Sequence, residues 1–156
     1  LALPMYIYSL QTKDFFVYKP NSCYNKELKG RMFVPDLYNC VSCAFDYYVQ
    51  KFNLQCSKNI NWAEPKNIKR GNELALEVCC NLDRYLDVKI EEIDKSELQV
   101  NDLIIIKTLR SAFYHYGILV NSNQIIHHAM HSVSSIVSLD DRWMNFAHRF
   151  FRVSPL

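Results

Sequence analysis

The chain has 156 residues, a formal net charge of +2 and 49% hydrophobic residues, with only 3 glycines and 5 prolines. That is enough chain to bury one core, and the composition excludes a linker or a disordered tail. The small charge, with no Lys/Arg block interleaved with aromatics, points away from nucleic acid, and the longest aliphatic run, residues 103–106, is far too short to cross a bilayer.

Residues 5–10 and 15–18 are β-like runs, the second ended by Pro20, and form an N-terminal extension over residues 1–27. The opening residues have neither the basic start nor the long apolar stretch of a secretory signal. Residues 21–39 are loop-rich, punctuated by Gly30 and Pro35. From Asn39 the pattern changes. Val41, Ala44, Phe45, Tyr48 and Phe52 fall on one helical face. Asn39 suits the N-cap, because its side chain can accept from the first free amides, and Cys40 then sits in the first turn. Residues 53–70 form a polar connection containing Trp62 and Pro65. A second helix is expected over 72–85, with Leu74, Leu76, Val78, Cys79, Leu82 and Tyr85 on its apolar side. Strands follow at 103–106, 114–120 and 124–129, with residues 121–123 as the hairpin, and another at 146–153. Helices followed by antiparallel strands predict an α+β domain over residues 28–156. The six cysteines (Cys23, Cys40, Cys43, Cys56, Cys79, Cys80) are expected to be reduced, most of them as small apolar filler.

Cys40 carries the chemistry. A thiol becomes a strong nucleophile when a base and a positive field favour its thiolate, and a helix N-terminus lowers its pKa from about 8.5. His115, in a predicted strand, can act as general base and then protonate the leaving amine. Gly117 points to the same face and leaves room for a close neighbour. A three-residue loop centred on Asn121 sets His115 directly opposite His127, with Cβ atoms about 5 Å apart. A loop of Asn121 and Ser122 alone sets His128 there instead. The candidate catalytic residues are therefore Cys40, His115 and His127, with His128 in reserve, and the chemistry is that of a cysteine hydrolase.

Plainer readings stand beside this one. Cys40 can simply pack the core. Cys40/Cys43 and His127/His131 also have the spacing of zinc-ligand pairs, which would make the chain a zinc-binding interaction module. Against that, the cysteine pair falls in an amphipathic helix and not in a knuckle of turn residues; no cofactor or metal is expected. Glu91-Glu92 and Asp140-Asp141 read as solvated turns, and Trp143 as an anchor at the sheet edge. Arg149 and Arg152 suit an exposed strand or an acidic ligand.

Taken together, Asn39-Cys40, Asn101-Asp102-Leu103-Ile104, His115-Tyr116-Gly117-Ile118 and Ile126-His127-His128-Ala129 resemble the NlpC-type family of cell-wall cysteine peptidases. Gly30-Arg31-Met32-Phe33-Val34, Asp46-Tyr47-Tyr48, the His-His pair and Trp143 resemble most the peptidase domain of tail-assembly proteins of long, non-contractile-tailed phages. The similarity covers about residues 28–153. It implies a papain-like fold, N-terminal helices packed on an antiparallel sheet, and hydrolysis of amides in peptidoglycan stem peptides through an acyl-enzyme on Cys40. It also implies a place in the virion tail tip, aiding wall penetration or tail assembly beside other tail-tip proteins. Synthesis in the host cytoplasm without a signal peptide follows, with neither nucleic acid nor membrane as partner. A catalytically silent tail-tip component on the same fold is the alternative. The chain departs from the family pattern at three places: Asn39 stands for Asp, Val41-Ser42 for Ser-Gly, and Asn101 for the turn glycine. Asn visits the left-handed region readily. Phe33 lies near the place of a tyrosine that often donates to the oxyanion, which leaves Tyr24, Tyr38 or the Cys40 backbone amide for that role.

Overall fold

The computed structural model describes residues 5–8, 15–18, 27–33, 39–54, 76–107 and 114–156, the first two segments by their backbone alone. Strands β1 (Met5–Tyr8) and β2 (Phe15–Tyr18) pair antiparallel as a separate ribbon. The main sheet is antiparallel and has six strands: β3 (Val88–Ile93), β4 (Leu103–Lys107), β5 (Tyr114–Asn121), β6 (Gln124–His128), β7 (Ser134–Ser138) and β8 (Ala147–Pro155). Their order is β3-β8-β4-β5-β6-β7.

Helix α1 (Cys40–Lys51) begins where the sequence predicts. Asn39 Oδ1 accepts from the Val41 and Ser42 amides at 2.9 and 3.0 Å, and Ser42 Oγ accepts in return from the Asn39 amide at 2.9 Å. This reciprocal cap satisfies donors that would otherwise be orphaned, and Asn does it as well as Asp. The helix ends at Lys51 with Phe52 as its cap; Asn53 then takes the left-handed conformation (φ 51°) while Leu54 N–H returns to the Val49 carbonyl.

Alternation along the strands gives the sheet two apolar faces. Leu103, Ile105, Tyr116, Ile118, Ile126, Phe151 and Val153 face α1, together with Val78, Cys79 and Leu82. Ile104, Ile106, Leu119 and Ile125 face the other way, against Trp143, Phe146 and Phe150. Trp143 and Phe146 come from an unexpected helix, α2 (Asp141–Phe146), so that β8 starts at Ala147 and supplies Phe150, while Phe146 belongs to the helix.

Other expectations also need correction. The helix expected over 72–85 is helical at residues 76–80 and then tightens to a 3-10 turn at Leu82–Arg84; residues 72–75 lie outside the described residues. Glu91-Glu92 is no turn. Both residues lie in β3, and Glu92 takes a two-pronged ion pair from Arg149 at 2.7 Å on each arm. Strand β7 also went unpredicted. Cys40, Cys43, Cys79 and Cys80 are free thiols, and Cys23 and Cys56 lie outside the described residues.

Three consecutive residues of α1 fix the helix to its surroundings. Asp46 is ion-paired to Arg31 in the interior, their side chains 6% and 2% exposed. Arg31 is held in turn by the Glu27 carbonyl (2.9 Å), while its amide donates to Ser134 Oγ (2.8 Å) and its carbonyl accepts from the Ser134 amide. Tyr47 and Tyr48 donate their hydroxyls to Asn101 Oδ1 (2.8 Å) and the Asn101 carbonyl (2.9 Å). Asn101 stands at φ 79°, the left-handed conformation expected where the family pattern has glycine. Asp102, also buried, accepts from Arg152 at 3.1 Å and from the Gln99 amide at 2.7 Å.

Removing one partner of a buried ion pair strands the other charge in the core. Asp46→Ala should therefore lower the unfolding free energy by about 3–5 kcal/mol. The double variant Arg31→Met/Asp46→Leu should recover a large part of that loss. Chemical denaturation of the three proteins checks this, and equal losses in the single and double variants would contradict it.

Candidate active site

The hairpin β5–β6 decides which histidine meets which. Its loop is Ser122-Asn123, with Asn121 paired to Gln124, and Val120 is an extra residue bulged between the Leu119–Ile125 and Asn121–Gln124 pairs. Beyond the bulge, Gly117 lies directly opposite His127. His115 is therefore diagonal to His127, two residues along the strand, and not directly across as expected. The two still share a face, because an offset of two keeps the side-chain parity. His115 Nε2 and His127 Nδ1 are 2.9 Å apart, the rings edge to face at 87°. No side chain on Gly117 intervenes. A Cβ there would stand 2.9 Å from Ile125 Cδ1, so any larger residue requires the end of the Ile125 side chain to shift.

The pair is supported on both sides. Asp140 caps α2 by accepting from the Arg142 and Trp143 amides at 3.0 and 3.2 Å. The capped helix lays the Trp143 ring 4.8 Å from the His127 ring and 6.0 Å from that of His115. Trp143 is thus a wall of the histidine pair and not a sheet-edge anchor. On β7, Ser135 lies opposite His127 and brings its Oγ to 3.3 Å from His127 Nε2. Sequence reasoning missed Ser135 with its strand. The available signal was the β-branched pair Ile136-Val137 between serines.

His128 points to the opposite face. It is 1% exposed, with Phe33 edge-on at 5.6 Å and the Ser132 and Arg31 backbone beside it, and among the described residues neither ring nitrogen reaches a partner in good hydrogen-bond geometry. His131 packs on the same Phe33 ring at 5.8 Å. Among the described residues no three His, Cys, Asp or Glu side chains converge as metal ligands, so the Cys40/Cys43 and His127/His131 pairs do not come together.

Cys40 is the first residue of α1 and is half-buried. Its sulfur lies against the backbone amides of Tyr116, Val41 and Cys40 itself, all of which favour the thiolate. Burial outweighs them and pushes the thiol up to about 12, opposite to the lowering expected from the helix terminus. Among the described residues no hydrogen bond joins this sulfur to a ring nitrogen. The thiol is instead set beside the peptide that follows His115. Burial first, then the neighbouring His127 and His128, lowers His115 to about 3. His127 is lowered too, mainly by burial. At neutral pH the site holds a neutral thiol and neutral imidazoles. Tyr24 and Tyr38, considered as oxyanion donors, lie outside the described residues. The Cys40 amide is not used by the cap, whose side-chain oxygen takes Val41 and Ser42.

A raised thiol pKa and a lowered imidazole pKa make one prediction about pH. Because the thiolate fraction grows as pH climbs toward the thiol's pKa, alkylation of Cys40 by iodoacetamide should rise about tenfold per pH unit from 7 to 10. No step should appear near 6.5. A rate plateau between pH 5 and 8, measured by mass spectrometry of the labelled peptide, would reveal a preformed thiolate–imidazolium pair.

No curated protein matches this chain. The model of the NlpC/P60 family matches residues 32–152, from Met32 beside the buried Arg31 to Arg152 of β8. That span includes α1, the β5–β6 hairpin and α2, the elements that carry Cys40, the two histidines and Trp143. The chain belongs to the NlpC/P60 family, whose α+β papain-like domains are typically cysteine peptidases acting on peptidoglycan peptides.

Proposed function

We propose that this chain is a cysteine peptidase or amidase that hydrolyses amide bonds in peptidoglycan stem peptides, with Cys40 as nucleophile, His115 as general base and acid, and His127 as its orienter. One observation carries the reading. A capped helix terminus sets the Cys40 sulfur against the amide following His115, while the far nitrogen of His115 is engaged by His127. Nδ1 is the ring nitrogen that His127 leaves open, and in this reading it serves the thiol. His115 Nδ1 takes the thiol proton as Sγ attacks the scissile carbonyl, and then gives it to the leaving amine. Water, deprotonated by the same nitrogen, releases the acyl group. The Cys40 amide faces the developing oxyanion.

Residues 28–156 form the peptidase domain in this reading, and residues 1–27 an extension. The setting is a phage tail tip, where the enzyme opens the wall locally or assists tail assembly among other tail-tip proteins, after synthesis in the host cytoplasm. Gly30-Arg31-Met32-Phe33-Val34 and Asp46-Tyr47-Tyr48 support this, since the buried Arg31–Asp46 pair joins the two segments.

A second reading, a catalytically silent tail-tip scaffold on the same fold, is favoured by the raised thiol of Cys40 and its lack of a ring partner among the described residues. Under that reading a thiol-directed electrophile labels Cys40 no faster than the buried Cys43.

The deciding experiment is mass spectrometry of purified peptidoglycan treated with the chain and with Cys40→Ala. New stem-peptide fragments should appear with the unsubstituted chain only. The same fragments from both proteins, or none from either, would end the peptidase proposal.

A further inference from the structure

The His115–His127 pair does not end at His127. His127 Nε2 faces Ser135 Oγ across the β6–β7 pair at 3.3 Å, giving an unbroken file from His115 through His127 to the serine hydroxyl. Each neutral imidazole in such a file carries one proton, so its two nitrogens play opposite parts and the choice at one ring dictates the choice at the next. If Ser135 accepts from His127 Nε2–H, then His127 Nδ1 is a bare acceptor. His115 must then carry its proton on Nε2, which leaves His115 Nδ1 bare and able to take a proton from the thiol. The reverse polarity would place a proton on His115 Nδ1 and block it as a base toward Cys40.

We propose that Ser135 is a positioning residue that sets the tautomers of both histidines by accepting the His127 Nε2 proton. The inference rests on the Cys40–His115–His127 reading above. Ser135 touches neither the thiol nor the base, and it acts only through His127. Trp143, packed on the same rings, leaves His127 little freedom to turn away from the hydroxyl. Burial keeps His115 and His127 neutral, so the tautomer and not the charge is the variable being set.

The test compares Ser135→Thr with Ser135→Val, two β-branched residues of equal shape that differ by the hydroxyl and both suit a half-exposed strand position. Nitrogen-15 NMR of the imidazoles at neutral pH should show His127 and His115 each protonated at Nε2 in the unsubstituted chain and in Ser135→Thr. Both tautomers should appear in Ser135→Val. Hydrolysis of stem peptides by Ser135→Val should fall about tenfold in kcat with KM unchanged, the rate equivalent of one hydrogen bond, and Ser135→Thr should restore it. Identical tautomers in the two variants would overturn the proposal, whatever happens to the rate. If the tautomers shift as expected while the unsubstituted chain shows no Cys40-dependent hydrolysis, the positioning role stands and the peptidase reading fails.

Discussion

One extra residue in β5 governs the geometry of the site. Without the bulge at Val120, the Ser122-Asn123 loop would carry its register straight down the hairpin and put His128 opposite Gly117. With the bulge, His127 takes that place and His128 turns to the other face. A strand has a side-chain period of two, so a slip of one residue exchanges the two faces completely. The adjacent histidines therefore meet different environments. One is bonded to His115 under Trp143, and the other is buried beside Phe33 and the Arg31 and Ser132 backbone. A one-residue slip of β6 would also exchange Ile125 and Ile126 between the two cores, each packed for the other residue.

The opposite face is organised by polar contacts made from within the core. Asp46 stays above the usual carboxylate range because burial outweighs the attraction of Arg31. An ion pair whose desolvation is not fully offset adds little to stability, but it accepts only one geometry. Arg31 is itself stapled to Ser134 at the head of β7, and Tyr47 and Tyr48 reach the Asn101 turn. Helix α1 is thereby located by directional bonds at three successive residues. Apolar packing alone would let a helix slide along the same surface.

Much of this was legible in the chain itself. The N-cap at Asn39, the apolar stripe of α1, the strands around Leu103, Tyr114 and Gln124, and the left-handed Asn101 all follow from local rules with strong signals. What escaped has a common cause. The bulge at Val120 reflects how the hairpin fits the neighbouring strands, and no residue type announces it. Strand β3 carries Glu91-Glu92, which reads as a solvated turn until Arg149 is seen across from it. Helix α2 is only six residues long, too short for periodicity to show, so the place of Trp143 over the histidines stayed hidden. Ser135 matters only through its partner on the next strand.

The thiol shows why local rules mislead at such a site. A helix terminus contributes about 0.3–1 kcal/mol to a nearby charge, less than one pKa unit. Burial acts on the same sulfur in the opposite direction and outweighs both the terminus and the amides of Tyr116, Val41 and Cys40. A position that sequence reasoning assigns to a ready-made thiolate therefore holds a protonated sulfur. For nucleophilic chemistry at Cys40, the proton has to leave during attack, to a base that is itself uncharged beforehand. The burial that keeps the sulfur protonated keeps His115 bare as well, so the two shifts belong to one environment. Such a site avoids holding an ion pair in an apolar wall between turnovers, and charge would appear there only while a carbonyl is present to share it.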